Sequence, residues 1–131
     1  MERERLIDLP KILDKRGNLT FLENLKQTPF EIKRVFWTYD VPGGEIRGGH
    51  AFHEQQEIVV ALSGSFDIVV KDKNGEERVY HLNRSYKGLY LPAKTWRYMG
   101  NFSTNSLSLH ISSEDFSETD YIRDYELFRK M

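Results

Sequence analysis

Cysteine is absent from the 131 residues of this chain, and its absence removes several classes of chemistry. A disulfide framework, a cysteine-based zinc site and a thiol nucleophile are all excluded. Apolar runs long enough to span a bilayer are missing too. The charged start at residues 1–5 does not resemble a secretory signal peptide. We therefore expect a cytoplasmic protein without a membrane partner.

An excess of one charge sign is also lacking. The chain has 19 lysines and arginines against 20 aspartates and glutamates, so its formal net charge is −1. This balance provides no basic field for a phosphate backbone, and we expect no nucleic-acid partner. A hydrophobic fraction of 39% and an aromatic fraction of 13% are enough for one packed core. We expect a single domain over residues 1–131.

Short β-branched and aromatic runs separated by turn residues dominate the sequence, and such runs favour strands. Strands are predicted at 6–9, 19–23, 32–39, 57–62, 65–70, 77–82, 88–91, 96–99 and 106–112. Asn74-Gly75 lies between two of them and indicates a hairpin. Only residues 115–131 favour a helix. The pattern predicts an all-β sandwich or barrel with a short C-terminal helical segment.

One segment places glycine, histidine and glutamate at fixed intervals, at Gly44, His50, Glu57 and Gly64. This spacing resembles the first motif of the cupin family, in which a second histidine follows two residues after the first. The resemblance implies a cupin jelly-roll β-barrel. In this chain the position of the second histidine is Phe52, whose phenyl ring has no lone pair for a metal.

A second segment is similar to the other cupin motif, which reads Pro-x-Gly, then His, then Asn. Pro92 and Asn101 stand at matching positions, whereas Lys94 and Arg97 replace the glycine and the histidine. A divalent cation usually requires three or four converging ligands, and Arg97 would bring a permanent cation instead. We expect no metal and no other cofactor.

Further segments carry a more specific resemblance and occur in order along nearly the whole chain. They are residues 14–17, 32–35, 47–51, 62–65, 88–90, 96 and 118–125. Together they resemble the dTDP-4-keto-6-deoxyhexose 3,4-ketoisomerases, relatives of the dTDP-sugar epimerases. The resemblance implies a homodimer that converts a dTDP-linked 4-keto sugar to its 3-keto form without a metal, in surface-polysaccharide sugar biosynthesis. Two pocket histidines of that family are replaced, by Phe52 and by Arg97.

The proton transfer in such a reaction requires a base whose pKa lies near neutrality, and histidine meets that requirement. His50 occupies a motif position facing the barrel interior, so we predict that it is the base. His53 is a second candidate only if a bulge turns it inwards, because strand alternation directs it away from the face of His50. Among the tyrosines, Tyr39 is the preferred proton donor. His110 is a pocket residue if its face of the strand lines the barrel.

Arginines are the expected contacts for a diphosphate, because a guanidinium fork matches phosphate oxygens. The resemblance implies Arg16 and Arg47 first, followed by Arg34. Arg97 would place a cation beside the sugar, stabilise an enediolate, or pair with Glu57. The remaining candidates for substrate binding are Tyr90, Trp96 and Arg123.

Two alternatives to the enzyme remain open at this stage. The loss of two pocket histidines from an intact scaffold also fits a non-catalytic cupin that binds a nucleotide sugar as a regulator or partner. An oligomeric interaction protein without a small-molecule site is the other alternative, and it would have no affinity for dTDP.

Overall fold

Strands supply most of the regular structure of the computed structural model, which describes residues 2–131. Met1, at the head of the charged start, lies outside the described residues. A 3₁₀ turn spans Glu118–Asp120 and one α-helix, α1, spans Tyr125–Arg129. No helix in residues 2–131 is both long and apolar enough to cross a bilayer. The strands are β1 Arg5–Asp8, β2 Lys11–Ile12, β3 Leu19–Thr20, β4 Arg34–Tyr39, β5 Arg47–Phe52, β6 Glu57–Ser63, β7 Phe66–Lys71, β8 Glu77–Leu82, β9 Lys87–Leu91, β10 Trp96–Gly100, β11 Leu107–Ser112 and β12 Tyr121–Ile122.

The strands form two antiparallel sheets and one separate hairpin. The first sheet has the order β1-β9-β6-β11-β4, and the second has the order β12-β5-β10-β7-β8. Strands β2 and β3 pair with each other. Neighbouring strands are mostly non-consecutive in sequence, which is typical of jelly-roll folds. The predicted all-β fold with a short C-terminal helix is confirmed.

The hydrophobic core lies between the two sheets and is filled from both inner faces. In β7 the alternate residues Phe66, Ile68 and Val70 point inwards and are almost completely buried. They pack with Val59 and Leu89 of the first sheet. This alternation of inward and outward side chains is the period-2 pattern expected of half-buried strands. The core therefore holds the sheets together, and some of its residues also line the cavity described below.

The C-terminal segment differs most from its prediction. Residues 115–131 are predicted as helical, but the helix covers only Tyr125–Arg129, where the Asp124 side chain accepts a hydrogen bond from the Glu126 N–H. Before that, the chain pairs as β12 with β5. The Asp120 carboxylate supports this pairing by accepting hydrogen bonds from the backbone N–H groups of Glu54 and Gln55, just after β5. These long-range hydrogen bonds override the local helix preference.

A bulge in β5 determines which side chains reach the interior. Arg97 of β10 pairs with His50, but Met99 pairs with Arg47, so β5 contains one extra residue between these pairs. Gly48 lies in this irregularity with φ at 73° and provides the left-handed backbone that it requires. His50 and Arg97 consequently lie opposite each other on the same side of the second sheet.

Gly64, the last residue of the first motif, turns the chain between β6 and β7 with φ at 66°. A Cβ atom at this position would lie 2.5 Å from the Ser103 Oγ and 2.8 Å from the Ser106 Cα. We expect Gly64→Ala to lower the free energy of unfolding by roughly 2–4 kcal/mol, since steric overlap adds to left-handed strain of about 1–2 kcal/mol. Urea denaturation measures this change.

Gly75→Ala is the matched control for this substitution. Gly75 also has a left-handed backbone, with φ at 90°, but no heavy atom lies within 4 Å of the position of its missing Cβ. Its substitution should therefore cost only the backbone strain. Equal losses of stability in the two variants would contradict the packing argument for Gly64.

Candidate active site

A cavity of about 290 Å³ lies between the two sheets, beside the apolar core. Its walls include the aromatic side chains of Phe36, Phe52 and Tyr121. Three arginines and one carboxylate face the same space, so the cavity is suited to an anionic ligand. The charged and imidazole side chains that line it are Arg47, His50, Glu57, Arg97, His110 and Arg123.

His50 presents a neutral imidazole to this cavity. Its Nδ1 atom is buried and has no hydrogen-bond partner within residues 2–131. The ring contacts Phe52 and Tyr121, with centroid separations of 4.7 and 5.1 Å. Burial first, and then the Arg97 cation opposite, lower the pKa of His50 from its ordinary 6.5 to about 3. The imidazole is therefore uncharged at neutral pH.

Glu57 is a buried carboxylate held between two basic side chains. Arg97 Nη2 donates to its Oε2 at 2.9 Å, and His110 Nδ1 donates to its Oε1 at 2.5 Å. Burial alone would raise the pKa of Glu57, but Arg97 and His110 outweigh it and hold that pKa well below its usual range. Of the roles considered for Arg97, pairing with Glu57 is the one that the structure shows, and Arg97 also lines the cavity.

His110 lies on the inward face of β11, one of the two orientations that alternation left open. Its ring stacks on Phe36 at a centroid distance of 4.5 Å. Because a carboxylate only accepts, Nδ1 carries the hydrogen shared with Glu57, and Nε2 lies 2.9 Å from the Ser108 Oγ. Both ring nitrogens are thus engaged, and His110 would have to break a hydrogen bond to move a proton.

The residues at the motif positions do not fit a divalent cation. The two carboxylate oxygens of Glu57 already accept from Arg97 and His110. Within the described part of the chain, no group of three or more His, Cys, Asp or Glu side chains is arranged to hold a metal. The positive charge of Arg97 lies where a cation would have to bind. The absence of a metal remains a prediction.

Two further arginines lie at the exposed side of the cavity. Arg123 pairs with Glu118 at 2.8 Å in a solvent-exposed ion pair, and its guanidinium lies 4.1 Å from the Tyr121 ring centroid. Arg47, at the start of β5, is also exposed. Exposed ion pairs contribute little energy, so Arg123 can exchange its carboxylate partner for an anionic ligand at small cost.

The whole of this arrangement lies within a region that matches a known family. The family model described as FdtA, WxcM-like, C-terminal, matches residues 2–131. The chain belongs to this family. The predicted membership of the 3,4-ketoisomerase branch of the cupins is confirmed by that match and by the relatives of the chain.

Those relatives are similar to this FdtA-family chain over almost its full length. It is 36% identical over 126 residues to the TDP-4-oxo-6-deoxy-alpha-D-glucose-3,4-oxoisomerase of Aneurinibacillus thermoaerophilus, covering 96% of this chain and 90% of that protein. QdtA, a sugar 3,4-ketoisomerase from Thermoanaerobacterium thermosaccharolyticum solved in complex with TDP, has a TM-score of 0.95 and 35% identity, covering 98% of this chain and 93% of that chain. The WlaRB TDP-quinovose 3,4-ketoisomerase from Campylobacter jejuni has a TM-score of 0.93 and 36% identity over 100% of both chains.

Two of the three predicted catalytic residues do not lie in the cavity of this family member. Along β4, Phe36 and Thr38 point inwards, so alternation directs Tyr39 outwards, and 62% of Tyr39 is exposed. His53 is also exposed and lies on the outer surface beside Asp120, because no bulge follows position 52 to turn it inwards. The structure therefore brings only His50 of the three to the cavity.

Two of the predicted substrate-binding aromatics are core residues instead. Tyr90 is fully buried in a cluster on the other side of the first sheet, and its hydroxyl donates to Gln56 Oε1 at 2.7 Å. Trp96 packs against Tyr125 and Phe128 of the C-terminal helix. Neither ring lines the cavity, because each stands at the opposite phase of its strand from the inward residues.

Two of the predicted arginines also lie outside the cavity lining. Arg34 does not line the cavity itself. Its Nη2 donates to Gln55 Oε1 at 3.0 Å, and its guanidinium lies over the ring of Phe36, which does line the cavity. Arg16 is on the β2–β3 hairpin, paired with Asp14 at 2.9 Å, and 90% of its side chain is exposed. The cavity of a single chain thus contains Arg47, Arg97 and Arg123 of the predicted set.

The residues that the sequence prediction missed are Tyr121 and Phe36. Tyr121 lies in β12, a strand of only two residues whose place depends on pairing with β5, so strand alternation does not identify it, although it falls within the segment 118–125 that carries the family resemblance. Phe36 belongs to a predicted strand, but both faces of that strand carry large side chains. Phe36 shares its face of the strand with Thr38, and the sequence alone does not show that this face points inwards.

His50 should titrate far below an ordinary histidine. We expect its ring signals in an NMR titration to change with a midpoint at about pH 3, because burial and Arg97 both oppose protonation. Below about pH 6.5, His50 binds a proton in the unfolded chain but not in the folded one. The part of the free energy of unfolding that depends on a neutral His50 is therefore complete above pH 6.5 and is lost as the pH falls towards 3. Arg97→Met should raise the midpoint, and a wild-type midpoint near 6.5 would contradict this description.

Proposed function

We propose that this chain catalyses the 3,4-ketoisomerisation of a TDP-linked 4-keto-6-deoxy sugar without a metal. One observation carries the proposal: His50, whose buried Nδ1 has no hydrogen-bond partner in residues 2–131, lines a cavity that three arginines also line. The similarity of the whole chain to 3,4-ketoisomerases supports the same class of reaction. The non-catalytic binder and the interaction protein gain no support from these relatives.

We assign both proton transfers, at C3 and at C4, to one base, His50. His50 removes the proton from C3, and the electrons of the C–H bond form a C3–C4 double bond while O4 takes the negative charge. The O3 proton passes to O4, and the imidazolium returns its own proton to C4, which leaves the ketone at C3. His50 suits both steps because Phe52 carries no proton and both nitrogens of His110 are hydrogen-bonded.

Substrate binding is expected to strengthen His50 as a base. A pKa of about 3 describes the protein alone, where burial first, and then Arg97 and Arg123, oppose a positive charge on the ring. A diphosphate brings negative charges that compensate Arg123 and so reduce this opposition. The pKa of His50 is then expected to rise in the complex, in the direction of the ordinary histidine value.

Arg97 is the group that stabilises the enediolate. Its guanidinium is 3% exposed and lies opposite His50 in the strand register, so base and cation face the same reacting carbons. Glu57 fixes the cation without removing it from the cavity. A preorganised cation in a poorly hydrated site stabilises developing negative charge far better than one in water.

Arg47 and Arg123 are the proposed contacts for the diphosphate. Both are exposed at the cavity, and both project from the side on which β5 and β12 pair. QdtA binds TDP in its solved complex, and a chain with 35% identity supports the same class of ligand here. Arg16 stays a candidate, on the hairpin outside the cavity of one chain.

A homodimer is the proposed assembly. Strand β4 ends the first sheet, and its outward residues Val35, Trp37 and Tyr39 are 47%, 58% and 62% exposed. An apolar edge strand of this kind invites pairing unless another surface covers it. We propose that a second copy does so, and that the enzyme works in the cytoplasm in the biosynthesis of polysaccharide sugars, as the chemistry of its relatives' substrates suggests.

Substitutions should separate proton transfer from binding. With TDP-4-keto-6-deoxyglucose as substrate, we expect His50→Asn to lower kcat by about 10²–10⁴-fold while TDP affinity is kept, because only the proton carrier is lost. Arg47→Ala and Arg123→Ala should weaken TDP binding by about tenfold or more, since each removes a charge-assisted hydrogen bond. NMR of the sugar and calorimetry of TDP binding measure the two effects.

Arg84→Ala is the control for these variants, because Arg84 is an exposed arginine outside the cavity lining. Its TDP affinity should match that of the wild type. A wild-type protein that binds TDP but leaves the sugar unchanged would support the non-catalytic binder. Unchanged affinity in both cavity variants would remove the diphosphate assignment.

The dimer proposal predicts that Trp37→Asp dissociates the protein. A charge at this position would be buried without a partner in the interface, which costs several kcal/mol. Val79→Asp is the matched control, because Val79 is 61% exposed on β8, the edge strand of the second sheet. Sedimentation velocity should show a dimer for the wild type and the control, and a monomeric wild type would contradict the proposal.

A further inference from the structure

Phe52, which stands at the position of a cupin histidine, is in direct contact with the buried Arg97 cation. Its side chain is 1% exposed and shares the inward face of β5 with His50. The Arg97 Cζ lies over the Phe52 ring, 4.8 Å from the centroid. This distance is that of a cation–π contact, and burial increases the strength of such contacts.

The hydrogen bonds of Arg97 fix one edge of its guanidinium. Nη1 donates to the Thr95 carbonyl oxygen at 2.8 Å, and Nη2 donates to Glu57 Oε2 at 2.9 Å. A guanidinium has five N–H groups, so these two bonds leave three that have no acceptor in the described residues. These two bonds hold one edge of the plane, whereas the contact with Phe52 holds one face.

A phenyl ring is better suited to this place than an imidazole. The π face of phenylalanine carries partial negative charge and attracts the cation, and it cannot become charged. An imidazole at position 52 would offer a ring nitrogen that competes for the Arg97 N–H groups, and its protonated form would repel Arg97. The exchange of histidine for phenylalanine therefore agrees with the presence of arginine at position 97.

We infer that Phe52 is a positioning residue for Arg97. Its ring holds the face of the guanidinium while Thr95 and Glu57 hold its edge, so the remaining N–H groups point towards the oxygens of the reacting sugar. The kinetic consequence rests on the proposed isomerase function, whereas the constraint on Arg97 does not. Phe52 and Arg97 thus replace the two pocket histidines as one unit.

Phe52→Leu tests the inference because leucine keeps an apolar side chain but lacks a π face. We expect kcat to fall by roughly 3- to 30-fold, the range given by the strength of a buried cation–π contact, with KM and TDP affinity unchanged. In an Arg97→Lys background the same substitution should have much less effect, because the guanidinium that Phe52 holds is gone. Multiplicative effects of the two substitutions on kcat would overturn the inference.

Phe66→Leu is the control for a purely structural effect. Phe66 is a fully buried aromatic residue that packs on Phe102 in the core and does not line the cavity. Its substitution should lower the melting temperature and leave kcat unchanged. An equal loss of kcat in Phe66→Leu and Phe52→Leu would show that the effect is one of stability, and would overturn the inference.

A second measurement does not depend on turnover. In ¹⁵N NMR of the arginine side chains, the Arg97 Nη signals of the wild type should be resolved, because its guanidinium cannot rotate freely. They should broaden or merge in Phe52→Leu and stay resolved in Phe66→Leu. Unchanged Arg97 signals in Phe52→Leu would overturn the inference even in an active enzyme. An inactive wild type whose Arg97 signals respond as expected would refute the isomerase proposal alone.

Discussion

The buried carboxylate of Glu57 is the interaction on which the rest of the site depends. It belongs to β6 of the first sheet and receives Arg97 from β10 of the second, so the ion pair joins the two walls of the cavity. It also fixes the ring of His110. Removing one partner of a buried pair leaves an uncompensated charge and typically costs about 3–5 kcal/mol. Without Glu57, a guanidinium that is 3% exposed would have no counter-ion.

The same carboxylate shows how a cupin motif can be kept by residues that do not fit a metal. In the cupin motif glutamate is one metal ligand among several. Here one of its carboxylate oxygens pairs with Arg97, and the other accepts a hydrogen bond from His110. The cavity consequently contains a fixed cation opposite a neutral base. Burial and then the Arg97 cation lower the pKa of His50, which couples the proposed base to the cation opposite it. The polar network around Glu57 and the His50 ring are therefore electrostatically coupled.

The fold and part of the site could be predicted from the sequence, each for a physical reason. Period-2 alternation and turn residues locate strands such as β8, whose bounds match the predicted 77–82. Motif spacing places His50 and Arg97 inside the barrel. Strand alternation does not assign Tyr39 to the inward or the outward face. Phe36, Trp37 and Tyr39 are all aromatic, so the pattern does not show which face of the strand is buried. Tyr121 depends on a long-range pairing that no local signal contains.

The most direct test of the account follows the proton that His50 removes. The protein would be given TDP-4-keto-6-deoxyglucose that carries deuterium at C3, in ordinary water, and the first product would be examined by NMR. If one imidazole serves both carbons in a cavity that shields it from water, a substantial fraction of the deuterium appears at C4 of the 3-keto product. A product whose C4 hydrogen comes entirely from water, or a sugar that remains unchanged, would contradict the account.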